Sequence, residues 1–153
     1  MGKLRQYGLD EVIRDVTAKG TPFLGICLGL QILFERSEES PGVAGLGLLK
    51  GEILRIPDKE GLKIPHMGWN SIHLQNGGRL FKGILQESYV YFVHSYYLKA
   101  EEEEIVKATT EYSTHIHASV EKENLFACQF HPEKSSDLGL AILKNFAEIG
   151  EED

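Results

Sequence analysis

Residues 23–29, Phe23-Leu24-Gly25-Ile26-Cys27-Leu28-Gly29, limit the possible folds more than any other stretch of the chain. Phe23–Ile26 is a short apolar run, the mark of a strand buried on both faces of a parallel sheet. Leu30-Gln31-Ile32-Leu33-Phe34-Glu35 then returns to helical composition. A strand that runs through a tight glycine-flanked turn into a helix is an α/β unit. G-x-C-x-G is also the spacing of a nucleophile elbow, here with cysteine at its centre. Such a turn is sharp, so its central residue is expected to be strained and its neighbours to lack bulk, which Gly25 and Gly29 supply. The helix N-terminus beneath the sulfur would favour thiolate, the reactive form. The Leu28 N–H points the same way and would donate to an oxyanion. Taken alone, the motif fits a buried structural cysteine equally well, because free cysteine commonly behaves as a small hydrophobe.

A second segment shifts that balance. Phe130-His131-Pro132-Glu133 follows the apolar run Leu125-Phe126-Ala127-Cys128-Gln129. Residues two apart in an extended chain face the same side, so His131 and Glu133 lie together. Pro132 cannot donate to a sheet ladder, so the strand ends there and presents the pair at a sheet edge. Cysteine nucleophiles need a histidine within reach and a third group to orient it. Cys27, His131 and Glu133 supply those three roles. The plainer reading makes His131 a strand-end histidine and Glu133 a surface charge, but triads are recognised by roles taken together.

The remaining sequence bounds the setting. At 153 residues the chain has the length of one domain. Its net charge of −7 argues against a nucleic-acid surface. The longest stretch without a charged side chain, Gly20–Phe34, is 15 residues, short of the ~20 a membrane-spanning helix needs. Cys27 and Cys128 form no C-x-x-C pair, and a cytoplasmic setting is expected; Cys128, inside an apolar run, is read as core. Leu4, Leu9, Val12, Ile13 and Val16 recur at helical spacing, with Gly20 placed to end that helix. Glu52–Ile56, Tyr89–Val93 and Thr109–Val120 read as strands, Glu101–Glu104 as a solvated loop, and Leu138–Ile149 as a closing helix capped by Ser135 or Ser136. His115 and His117 would share one face of a strand, yet nothing completes a metal site. The strand before Cys27 reads as central, but only one helix precedes it. Later segments must therefore fill both its sides, or an N-terminal part is missing.

With Gly25–Gln31 and His131-Pro132-Glu133 in place, the chain resembles the class I, triad-type glutamine amidotransferases. Pro65-His66-Met67-Gly68-Trp69-Asn70, Tyr91-Phe92-Val93-His94-Ser95-Tyr96 and Gln129–Ser136 make it most similar to the glutaminase subunits that serve imidazole glycerol phosphate synthase. The resemblance implies an α/β, flavodoxin-like mixed sheet flanked by helices over residues 1–153, with its N-terminal strands missing. It implies a triad of Cys27, His131 and Glu133, and glutamine contacts at Gln31, Glu39, Ser95 and Tyr96. It places a face for a (β/α)8 cyclase subunit at Met67, Trp69, Asn70, Tyr91 and Lys134, forming a heterodimer, and implies no cofactor or metal.

Family members begin with further strands and a Pro-Gly-Val-Gly-like loop that gives a second oxyanion N–H, and no such segment precedes Met1 here. Losing one such donor costs ~2.7–4 kcal/mol of transition-state stabilisation, so the chain is expected to be an N-terminally incomplete version with little activity by itself. The alternatives are a glutaminase serving another pathway, such as pyridoxal phosphate synthesis, and a catalytically inactive subunit that keeps the fold and only docks.

Overall fold

The computed structural model describes residues 8–39, 42 and 44–152; Met1 and Leu4 lie outside the described residues. Helix α1 (Leu9–Ala18) ends just before Gly20, which takes a left-handed φ of 79°, as the periodicity predicts. Ile13 of this helix packs on the core, while Val12 is exposed. Strand β1 (Phe23–Ile26) leads through Cys27 into α2 (Leu28–Gln31). This helix is a single turn, shorter than its composition suggests, because the chain bends away to form β2 (Arg36–Ser37). Six strands follow: β3 (Gly51–Arg55), β4 (His66–Leu74), β5 (Ser88–His94), β6 (Tyr96–Ala100), β7 (Val106–Tyr112) and β8 (Thr114–Lys122). Strand β9 (Leu125–Cys128), a 3-10 turn over Pro132–Lys134 and helix α3 (Ser136–Glu152) complete the chain.

The strands form a mixed sheet of order β1-β9-β8-β7-β4-β5 and a smaller sheet of order β2-β3-β6. Only β1–β9 and β2–β3 are parallel pairs. The alternating stretch Thr109–Val120, read as one strand, is an antiparallel hairpin: Ser113, at a φ of 66°, turns β7 back into β8. Strand β9 is buried on both faces. Phe126 and Cys128 join Ile142 and Ile149 of α3 in one core cluster, while Ala127 joins Leu33, Phe34, Ile53 and Leu98 in another. Later segments do not fill both sides of β1 among the described residues. It pairs with β9 on one side, has no strand on its other side among the described residues, and only Gly25 within it is fully buried. The Cys27 turn therefore stands at a rim of the main sheet. No helix among the described residues is long and apolar enough to cross a membrane.

Candidate active site

The parallel register of β1 and β9 brings the two sequence motifs together, because Ile26 pairs with Cys128 and the Cys27 N–H donates to the Cys128 carbonyl at 2.8 Å. Cys27 and the turn bearing His131 thus leave adjacent strands at the same edge. Cys27 carries the expected strain, with φ 54° and ψ −103°, a conformation that costs on the order of 1–3 kcal/mol and persists only where the surroundings over-determine it. The two glycines that flank it do not share a role. A Cβ on Gly25 would lie 2.6 Å from the Gly29 carbonyl oxygen, so the absence of a side chain lets α2 fold back over β1. A Cβ on Gly29 would meet nothing within 4 Å.

The Cys27 sulfur donates to the Val93 carbonyl at 3.8 Å and accepts from Gln129 Nε2 at 3.3 Å. It makes no hydrogen bond to His131. Burial pushes the thiol above its ordinary pKa, and the Glu133 and Glu39 carboxylates push the same way; the Leu28 N–H and Gln129 pull it back without winning. Desolvation thus outweighs the pull toward thiolate expected from the one-turn helix. The Leu28 N–H lies at the sulfur, where it favours the thiolate.

His131 is held from three sides. Its Nδ1 lies 2.6 Å from Glu133 Oε1, its backbone N–H donates to the Tyr91 carbonyl at 2.9 Å, and its carbonyl accepts from Ser135 Oγ at 2.6 Å. The carboxylate fixes the Nδ1–H tautomer and leaves Nε2 as the basic nitrogen. Ser135 was expected to cap α3. Its fully buried hydroxyl instead accepts the Tyr91 N–H at 3.0 Å while donating to His131, tying β5 to the imidazole turn. Helix α3 approaches that turn so closely that a Cβ on Gly139 would collide with the Pro132 carbonyl.

Beside the thiol lies a cavity of about 240 Å³ lined by Cys27, Leu28, Gln31, Glu39, His94, Ser95 and Tyr96. One wall is a buried imidazole chain that the sequence did not signal as a unit. The Nδ1–H of His94 donates to the Tyr96 carbonyl at 2.9 Å, which leaves its Nε2 to accept the Nδ1–H of His66 at 3.0 Å. Asn70 Nδ2 in turn donates to His66 Nε2 at 3.4 Å. Burial lowers both pKa values to about 4; His94 adds to the shift of His66, and His131 adds to that of His94 while the Tyr96 carbonyl opposes it, so both are neutral at pH 7.

On the outer face of β4 and β5, Met67 and Trp69 are exposed, and the Trp69 ring stands edge-on to Tyr91 at 5.9 Å. Asn70 reaches across to the Glu111 carbonyl, and Lys134 is exposed on the same turn as Glu133. Cys128 is fully buried and its thiol is pushed far up by desolvation, as expected of a core residue. His115 pairs with Glu111, while His117 accepts the Ala100 N–H at 3.0 Å; the second imidazole is thereby held in the core.

The family profile described as "Glutamine amidotransferase class-I" matches residues 6–149. The chain is 54% identical over 149 residues to "Imidazole glycerol phosphate synthase subunit HisH" of Moorella thermoacetica, covering 97% of this chain and 70% of that one. It is 50% identical over 141 residues to the protein of the same description from Methanocaldococcus jannaschii, covering 92% and 70%. Among solved structures it is similar to one described as a glutamine amidotransferase, with a TM-score of 0.69 at 20% identity, over 97% of this chain and 71% of that one.

Proposed function

The chain belongs to the class-I glutamine amidotransferases, and from that premise we propose that Cys27, His131 and Glu133 are the triad with which it removes ammonia from glutamine. It is the glutamine amidotransferase subunit of an imidazole glycerol phosphate synthase, acting in histidine biosynthesis. One observation carries the assignment of residues. Gln31, Glu39 and the consecutive pair Ser95-Tyr96 come from separate segments, yet they line one cavity with Cys27. The Glu133-held imidazole comes from the strand next to that of the thiol.

The chemistry follows from the protonation states. The thiol rests neutral, so its proton must leave before it can attack, and the Nε2 of His131 is the base. The sulfur adds to the side-chain carboxamide carbon of glutamine, and the Leu28 N–H turns from the sulfur to the oxyanion that forms beside it. The proton held by His131 passes to the departing nitrogen, the C–N bond breaks, and ammonia leaves a thioester on Cys27. His131 then takes a proton from water, which attacks the thioester and releases glutamate with the thiol restored. Glu133 keeps the imidazole oriented and stabilises its charged form throughout.

The partner is a (β/α)8 cyclase subunit, bound as a heterodimer on Met67, Trp69, Asn70, Tyr91 and Lys134. The exposure of Met67 and Trp69 supports this reading, as does the contact of Trp69 with Tyr91, whose carbonyl holds the His131 N–H. Ammonia passes into that subunit without release to solvent and supplies nitrogen to a phosphorylated ribulosyl intermediate. The setting is cytoplasmic, in keeping with two free cysteines. Without its partner the chain should turn over glutamine slowly. The test is covalent labelling by a glutamine-mimicking electrophile. Cys27 should be labelled in the complex and a Cys27→Ser variant should not; no adduct on Cys27 in the complex would leave a docking subunit without catalysis.

A further inference from the structure

Gln129 is a fully buried carboxamide with no part in the steps above, and its nitrogen end is directed at the reacting sulfur. Its orientation is not arbitrary. Gln31 Nε2 lies 3.4 Å from the Tyr96 carbonyl, a group that can only accept, and 3.2 Å from Gln129 Oε1. The first contact fixes which end of Gln31 carries the hydrogens, and the second then fixes Gln129 with its oxygen toward Gln31 and its nitrogen toward Cys27. The backbone leaves Gln129 little freedom, because its N–H donates to Ala118 at 2.8 Å at the end of β9.

We propose that Gln129 is the side-chain donor that stabilises the Cys27 thiolate, and that Gln31 positions Gln129 for this task. The proposal deepens the assignment of Cys27 as nucleophile and rests on it. A neutral thiol is a weak acceptor and a thiolate a strong one, so an amide N–H at 3.3 Å contributes mostly to the charged form. Within this pocket that matters, because burial and two carboxylates oppose ionisation, and among the described residues the Leu28 N–H is the other group acting against them. The resemblance assigned Gln31 to glutamine binding. Here its amide hydrogens serve the Gln129–Tyr96 link, which gives it a structural part in the nucleophile as well.

The experiment is the pH dependence of iodoacetamide alkylation at Cys27, read by peptide mass mapping in the complex with the cyclase subunit. It requires no glutamine turnover. Gln129→Met keeps the volume and removes the donor. Its alkylation midpoint should rise by about one pH unit, a roughly tenfold slower reaction at fixed pH below the midpoint. Gln129→Glu should rise further, since it replaces a donor with a like charge. Gln31→Leu leaves Gln129 buried but unlocked and should give a smaller rise; it also keeps the proposal testable if Gln129→Met does not fold. Profiles of folded Gln129→Met and Gln31→Leu that superimpose on the parent would overturn the proposal. A shifted midpoint together with no labelling by a glutamine mimic would uphold Gln129 as thiolate donor while rejecting the glutaminase reading of the site.

Discussion

The two sides of the candidate site are built to different standards of support. Cys27 stands after a four-residue strand with a single partner among the described residues, followed by a helix of one turn, and its backbone is strained. The imidazole stands on a turn pinned to β5 through Tyr91 and Ser135, packed under a 17-residue helix and held at its far nitrogen by Glu133. The Cys27 sulfur bonds to the Val93 carbonyl and Gln129, whereas Glu133 already fixes the His131 imidazole in one tautomer. The difference teaches where support is concentrated in this chain, namely around the His131 imidazole, while Cys27 stands on the shorter elements.

Three measurements would break or sharpen that contrast. The largest effect is expected at Gly25. Gly25→Ala places a methyl against the backbone of Gly29, so α2 must shift from β1, at a cost of ~1–3 kcal/mol or more with loss of Cys27 labelling. Gly29→Ala is the matched control: it meets nothing and sits in a helix, so thermal melting should be unchanged or slightly raised. If the two variants melt alike, the elbow does not depend on that close approach.

On the other side, Ser135→Ala leaves the Tyr91 N–H without its acceptor, which should cost ~1–3 kcal/mol and slow glutamine hydrolysis in the complex. A variant that melts and turns over like the parent would remove the clamp from the account.

The smallest effect is expected at the cavity wall. His66 and His94 remain neutral down to about pH 4, whereas in the unfolded chain they take up protons near their ordinary value of 6.5. The unfolded state therefore binds more protons in this window, and stability must fall as pH drops from about 7 toward 4. In His66→Gln the fall in melting temperature between pH 7 and 4.5 should be smaller by about 3 °C. An unchanged slope would mean that the pair contributes little.

Much of the site was legible before any coordinates. The Gly-x-Cys-x-Gly spacing located the elbow because the steric demand of a strand-to-helix turn is local, and the step of two between His131 and Glu133 follows from extended backbone alone. What stayed hidden depended on long-range pairing. Ser135 reads as a helix cap, and nothing nearby says that its hydroxyl will meet Tyr91, 44 residues earlier in the chain. Gln129 sits two residues before His131 in sequence, yet its link to Cys27 spans 102 residues and exists only because β1 runs parallel to β9. The turn at Ser113 was missed because alternating polarity continues through a hairpin as it does through one strand. Thiol ionisation was misjudged for a different reason: the sequence shows a helix start but neither its length nor how deeply the sulfur is buried.

The hydroxyl bridge at Ser135 has a mechanical corollary. Tyr91 offers its carbonyl to His131 and its amide to Ser135, while its ring rests against Trp69 on the outer face. Whatever presses on that tryptophan from outside bears on the same short lever that carries the proton acceptor.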